Sequence, residues 1–127
     1  MTASAPHLHP DRLLPAAEPA RGIARELYEA VRDLPLICPH GHTDPAWFAR
    51  NERFVDPAAL FLTPDHYVLR MLRSRGIDYD ALGVPRRDGK PVADGRSAWR
   101  LFARNYHLFA GTPSKTWIDH SFLWAFG

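Results

Sequence analysis

Apolar residues recur three or four positions apart in residues 21–33, 65–75 and 99–109. This spacing places them on one face of a helix, so each stretch is predicted to form an amphipathic helix. The helix from Arg21 to Asp33 is expected to end before Pro35, and the helix from Asp65 to Arg75 to be stopped by Gly76. The pattern of residues 99–109 predicts one helix that ends near Gly111.

Four helix starts are marked by a capping residue followed by proline. Asp44-Pro45 predicts a short helix through Arg50, and Asp56-Pro57 predicts another over residues 58–62. Thr63 is predicted to cap the helix of residues 65–75, with Pro64 at its first position. Thr112-Pro113 predicts a last helix in the same way.

One short apolar run, Leu36-Ile37-Cys38, lies between two prolines and is predicted to be a buried β-strand. Residues 1–20 are rich in Pro and Ala without a sustained period, so we predict an N-terminal arm there and one folded portion over residues 21–127. The expected fold class is therefore mainly α with one short strand.

Composition narrows the class of protein. The chain is 46% hydrophobic and its formal net charge is only +2, which gives no argument for binding nucleic acid. No apolar run has membrane-spanning length, and the single cysteine, Cys38, is typical of a reducing compartment, so a cytoplasmic location is expected. Apolar residues 122–126 have no polar cap after them, and the predicted strand has no partner strand in the chain. Both features predict that the chain self-associates or is part of a longer protein.

The predicted strand ends in His40-Gly41-His42, which would point two imidazoles to the same face. Two histidines at the end of a strand can hold a divalent metal, most simply zinc. The alternative is a turn in which the imidazoles cap backbone groups. Cys38 is interpreted as a small buried hydrophobe and not as a further ligand, and His7-Leu8-His9, which has no strand before it, is not expected to bind metal.

The polar side of the 65–75 helix carries a second group of candidates. Tyr67 offers a phenol for proton transfer, and Arg70 offers a guanidinium for a carboxylate; His66 lies beside them. The alternative is that these three residues form an ordinary packed or solvated helix edge.

From about Leu13 onward the chain resembles uronate (glucuronate) isomerase, a family of the amidohydrolase superfamily. The resemblance rests on Leu-Pro-Leu-Ile-Cys-Pro-His-Gly-His at 34–42, Asp-His-Tyr-x-x-Arg at 65–70 and Trp-Ile-Asp-His at 117–120. It implies a metal-dependent (β/α)8 barrel with helical additions, whose first strand ends at the metal ligands His40 and His42. It also implies that Tyr67 lines the substrate pocket as a catalytic candidate, with His66 and Arg70 as substrate-binding candidates.

The implied activity is the interconversion of D-glucuronate with D-fructuronate, and of D-galacturonate with D-tagaturonate. A complete barrel needs about 250 residues, so the 127-residue chain is expected to be an N-terminal portion that is inactive alone. Two other classes stay open at this point: a metal-dependent hydrolase of the same superfamily, and a non-enzymatic helical module that self-associates.

Overall fold

The computed structural model describes residues 8–41, 43–90 and 92–126 of the chain. Within these ranges the backbone forms α-helices joined by turns, extended segments and two short 3-10 helices, Asp80–Leu82 and Tyr106–Phe109. The α-helices, numbered in chain order, are α1 Glu18–Val31, α2 Pro45–Arg50, α3 Pro57–Phe61, α4 His66–Ser74, α5 Gly95–Arg104 and α6 Pro113–Phe126.

The short helices begin where aspartate precedes proline. The side chain of Asp44 accepts a hydrogen bond from the Ala46 backbone N–H at 2.9 Å, at the start of α2. Asp56 accepts one from the Ala59 N–H at 2.9 Å, at the start of α3. Proline follows each cap at a position whose N–H would have no intrahelical partner. Both predicted starts are confirmed.

Two predicted details of the longer helices are wrong. Asp65, not Thr63, caps α4, because its carboxylate accepts from the N–H groups of Tyr67 at 2.8 Å and Val68 at 3.2 Å. The single helix predicted over residues 99–109 is interrupted at Asn105, whose side-chain amide donates to the Leu101 carbonyl at 2.8 Å. A 3-10 turn follows this interruption instead of a continued α-helix.

The predicted buried strand is the largest error. Residues 36–38 form no strand in the described structure, and Leu36 and Ile37 are 91% and 90% exposed. Cys38 is exposed as well. A β-strand gains its hydrogen bonds from a neighbouring strand, and the described residues supply none. The segment therefore has no regular secondary structure.

The chain divides into two compact units: the described residues of Met1–Gly41 with His120–Gly127, and those of His42–Asp119. The first unit contains α1, which begins at Glu18, inside the predicted arm, and has no buried residue. Its apolar stripe is exposed, with Ile23 at 60% and Leu27 at 66%.

The second unit contains the buried core. Leu62, Leu82, Ala98, Phe102, Phe109 and Ile118 are almost fully buried there, as are Val68 and Leu72 of α4. Helical spacing over residues 65–75 predicts a buried face of Val68, Met71 and Leu72. Val68 and Leu72 are buried as predicted, whereas Met71 is only half-buried and Leu69 is buried in addition. The core thus contains buried residues of α3, α4, α5 and α6.

A search of the described helices for one long and apolar enough to cross a membrane finds none.

Candidate functional site

The second unit encloses a cavity of about 490 Å³. This volume lies within the range of small-molecule sites, about 300–1,000 Å³. Aromatic and other apolar side chains dominate the lining, which consists of Thr43, Trp47, Leu60, Phe61, Pro64, Asp65, Tyr67, Pro113, Ser114 and Trp117.

Local sequence signals bring these side chains to the cavity. Trp47 lies in the first turn of α2, directly after the Asp44 cap, and Trp117 lies near the start of α6. The α6 start is fixed by Thr112, whose hydroxyl oxygen accepts a hydrogen bond from the Lys115 N–H at 3.2 Å. The predicted helix start at Thr112-Pro113 is therefore confirmed, and it places Trp117 one turn into the helix.

Tyr67 is the predicted site residue that the structure places in the cavity wall. Its backbone N–H is held by the Asp65 cap, while its side chain is 57% exposed. The His66 and Tyr67 rings lie with their centroids 4.2 Å apart and their planes 33° apart. The Asp65 cap thus fixes the backbone of Tyr67, and the side chain lies in the cavity wall.

The other two residues of the predicted group do not line this cavity. His66 is half-buried and contacts the Tyr67 ring, whereas Arg70 is exposed on the next turn of α4. The structure therefore brings His66 and Tyr67 together. The substrate-binding roles of His66 and Arg70 stay predictions.

The predicted metal ligands lie differently. His40 is exposed in the extended segment of the first unit, and His42 lies outside the described residues. In the described ranges, no group of three or more His, Cys, Asp or Glu side chains could hold a metal ion. The described residues alone therefore do not form a complete metal centre.

Charge at the cavity is low. None of the ten lining residues named above is Lys, Arg or His. The one carboxylate among them, Asp65, accepts hydrogen bonds from the α4 backbone. The cavity therefore offers aromatic surface, hydroxyl groups and little charge.

Sequence reasoning missed Trp47 and Trp117 as cavity residues. Trp47 was predicted only as part of a short helix, and Trp117 only as one of several apolar residues after Thr112-Pro113. Which face of a short helix meets a cavity depends on distant contacts, such as the packing of Trp117 against Phe61 with ring centroids 6.3 Å apart. The available signal was a tryptophan within one turn of each helix start.

The helical arrangement of this chain is that of one part of a sugar-acid isomerase. It matches the crystal structure of glucuronate isomerase from Caulobacter crescentus with a TM-score of 0.87 and 52% sequence identity, covering 95% of this chain and 25% of that one. The family model described as glucuronate isomerase matches residues 18–127. The chain belongs to the glucuronate isomerase family.

Curated relatives give the same result. The uronate isomerase of Xanthomonas euvesicatoria pv. vesicatoria is 59% identical over 123 residues, which is 96% of this chain and 26% of the relative. That of Rhizobium meliloti is 54% identical over 121 residues, which is 94% of this chain and again 26% of the relative. The chain thus spans about a quarter of the length of the relatives it matches.

Proposed function

We propose that this chain is the N-terminal portion of an aldose–ketose isomerase that interconverts D-glucuronate and D-fructuronate, and D-galacturonate and D-tagaturonate. The observation that carries the proposal is the family match over residues 18–127. The position of Tyr67 in a cavity wall supports it, because Tyr67 belongs to the Asp-His-Tyr-x-x-Arg motif by which the chain resembles the family.

The reaction moves hydrogen between C1 and C2 of the sugar acid, and an enediol is the intermediate that a base and an acid can reach by proton transfer. In this proposal the Tyr67 hydroxyl donates a hydrogen bond to a substrate oxygen and transfers its proton to that oxygen. His66 holds the Tyr67 ring and contacts substrate, and Arg70 binds the carboxylate, for which a planar guanidinium is suited.

The proposed cofactor is a divalent metal, with zinc as the first candidate. The chemistry of the donors supports this, because neutral imidazoles such as those of His40 and His42 are ligands for zinc and neighbouring metals. When bound, such a metal would polarise the substrate carbonyl. Metal analysis of the chain and of a His40→Ala/His42→Ala variant would test the assignment, since equal metal content in both would contradict it.

This chain spans about a quarter of the family length and carries two of the proposed metal ligands, which is not a complete metal site. We therefore propose that the chain is inactive alone. Its exposed apolar stripe on α1 supports self-association, since burial of such surface is favourable. The free thiol Cys38 is compatible with a reducing, cytoplasmic environment.

A chimera tests the isomerase proposal. The matching quarter of the Caulobacter crescentus enzyme would be replaced by residues 18–127, and isomerisation of D-glucuronate would be measured. We expect activity in the chimera, none in the 127-residue chain, and a kcat about 100-fold lower after Tyr67→Phe, the scale of a lost proton-transfer group.

Tyr28→Phe is the matched control, because Tyr28 is equally exposed, at 57% against 57% for Tyr67, and does not line the cavity. A chimera that folds, as judged by circular dichroism and a cooperative melt, and yet fails to isomerise any of the four sugar acids would overturn the proposal. Equal rates for Tyr67→Phe and Tyr28→Phe would overturn the role of Tyr67.

A further inference from the structure

We infer that Trp47 and Trp117 form a subsite for the uncharged carbon skeleton of the sugar, and that the substrate carboxylate is bound outside this cavity. The inference deepens the proposed function and rests on it for the identity of the ligand. Its basis is the pairing of accessible tryptophan surface with a wall whose described residues include no cationic side chain.

Both indole rings are supported by other aromatic rings. Trp117 packs edge-on against Phe61, with centroids 6.3 Å apart and planes at 64°, and Phe61 is only 6% exposed. Trp47 meets Phe54 in a T-shaped contact with centroids 4.9 Å apart. Each ring is therefore held in place before any ligand arrives, which lowers the entropy lost on binding.

The supported rings also keep free surface. Trp117 is 49% exposed and Trp47 is half-buried, and both line the cavity. The faces of an aromatic ring carry partial negative charge, so they attract the weakly positive C–H groups of a polyol. The hydroxyl groups of Thr43 and Ser114 at the same cavity can hydrogen-bond to those of the sugar.

Charge decides which part of a uronate fits. A carboxylate moved from water into an apolar cavity is stabilised most by a cationic partner. The described lining residues include no Lys, Arg or His and offer only neutral donors, among them the hydroxyl groups of Thr43, Ser114 and Tyr67. The single carboxylate of the lining, Asp65, would repel it. The cavity therefore suits the neutral carbon chain and leaves the carboxylate to groups elsewhere.

All ten lining residues belong to the second unit, between Thr43 and Trp117. The described wall of this subsite is therefore built from residues of this chain. The 127-residue chain itself is the appropriate sample, even though it is expected to be inactive.

The chain has four tryptophans, so a ¹⁵N-labelled sample gives four indole N–H signals, which single Trp→Phe variants assign. The probes are sodium D-glucuronate and D-glucitol, a neutral open-chain polyol. We expect saturable shifts of the Trp47 and Trp117 signals with both probes, with dissociation constants within about threefold of each other. Trp117→Leu should weaken D-glucitol binding by up to about tenfold, the scale of one aromatic contact.

Trp124→Leu is the matched control, because Trp124 is 83% exposed and does not line the cavity. Absent shifts, equal shifts of the Trp124 signal, or a preference for D-glucuronate above tenfold would each overturn the inference. Absent shifts beside an active chimera would overturn the subsite alone. Saturable shifts beside a folded, inactive chimera would support a polyol site and overturn the isomerase proposal.

Discussion

Tyr106 donates its hydroxyl hydrogen to Asp119 Oδ1 across 2.6 Å, and Lys115 Nζ lies 2.7 Å from the other oxygen of the same carboxylate. The Lys115 ammonium also lies 4.8 Å from the centre of the Tyr106 ring. These contacts join the 3-10 turn Tyr106–Phe109 to α6 on both sides of Trp117 along the helix. They hold the part of α6 that carries a cavity wall.

Removal of the Tyr106 hydroxyl should loosen this connection. Tyr106→Phe keeps the ring contacts with Phe102 and Phe109 and loses one hydrogen bond to a charged group. We expect the free energy of unfolding to fall by about 1–2 kcal/mol. Urea denaturation measures it, with Tyr28→Phe as the control at an exposed tyrosine; equal losses in the two variants would contradict the structural role of Tyr106.

Acidification should weaken the same cluster. Burial acts to raise the pKa of Asp119, but the hydrogen bonds from Lys115 and Tyr106 outweigh it and hold the pKa below its ordinary 3.8. A carboxyl whose pKa is lower in the folded state stabilises the fold above its unfolded pKa, and this contribution is lost as pH falls through the folded pKa.

The free energy of unfolding should therefore decline as pH falls from about 4, and Asp119→Asn should make that decline shallower. Denaturation curves at successive pH values measure both slopes. Glu52→Gln, at an exposed carboxylate after α2, is the control. An unchanged slope in Asp119→Asn would contradict the assignment.

Tyr106 should set an alkaline limit. Burial first, and then the hydrogen bond to Asp119, raise the pKa of its phenol well above the ordinary 10.0. The folded state keeps the proton where the unfolded chain releases it, so stability is complete below about pH 10 and is lost as pH rises further. Spectrophotometric titration at 295 nm should show one tyrosine that ionises only on unfolding, and that late step should be missing in Tyr106→Phe.

Gly95, the first residue of α5, lies against the carboxylate that caps α3. A Cβ on Gly95 would overlap the Asp56 carboxylate, whose Oδ1 accepts from Ala59. Gly95→Ala should displace this cap and lower the free energy of unfolding by about 1 kcal/mol. In an Asp56→Ala variant, Gly95→Ala should lower the free energy of unfolding only slightly further, because the carboxylate that it would displace is already absent.

Gly22 provides the matched control. It lies inside α1 with no atom within 4 Å of its ideal Cβ position. Gly22→Ala should therefore stabilise the helix by about 0.5–1 kcal/mol. If both glycine substitutions changed the thermal midpoint in the same direction, the contact between Gly95 and Asp56 would not be the deciding factor.

The apolar stripe of α1 should govern association. Leu27→Glu places a charge in the stripe, where Ile23 and Leu27 are more than half exposed, and should weaken self-association about tenfold or more, because it removes apolar burial and adds a desolvation cost. Sedimentation velocity across concentrations measures it. Glu26→Lys changes charge beside the stripe and should have little effect; if it dissociated the assembly equally, electrostatics would be the cause.

Features predicted correctly from the sequence depend on neighbours along the chain. The caps Asp44 and Asp56 act on N–H groups two or three residues away, so an aspartate before a proline identifies them. The burial of Val68 and Leu72 follows from helical spacing alone. The choice between Thr63 and Asp65 was also local, but both residues are good caps, and only the observed hydrogen bonds distinguish them.

Features predicted wrongly or missed are of two kinds: those that depend on distant partners, and one local break in a helix. The apolar pattern of residues 36–38 is that of a buried strand, but a strand also needs a ladder, which the described residues do not provide. The helical spacing of apolar residues continues past Asn105, so the sequence pattern does not show that α5 ends there. The motif pointed to Tyr67, whereas Trp47 and Trp117 became cavity residues only through packing between helices.

The exposure of Leu36 and Ile37 changes how their apolar character should be understood. Side chains that are about nine-tenths exposed contribute almost nothing to the stability of this chain. Polar substitutions at both positions would be silent in any melt of the isolated chain. Any contribution of their apolar character would therefore be detected by an assay of assembly and not by one of stability.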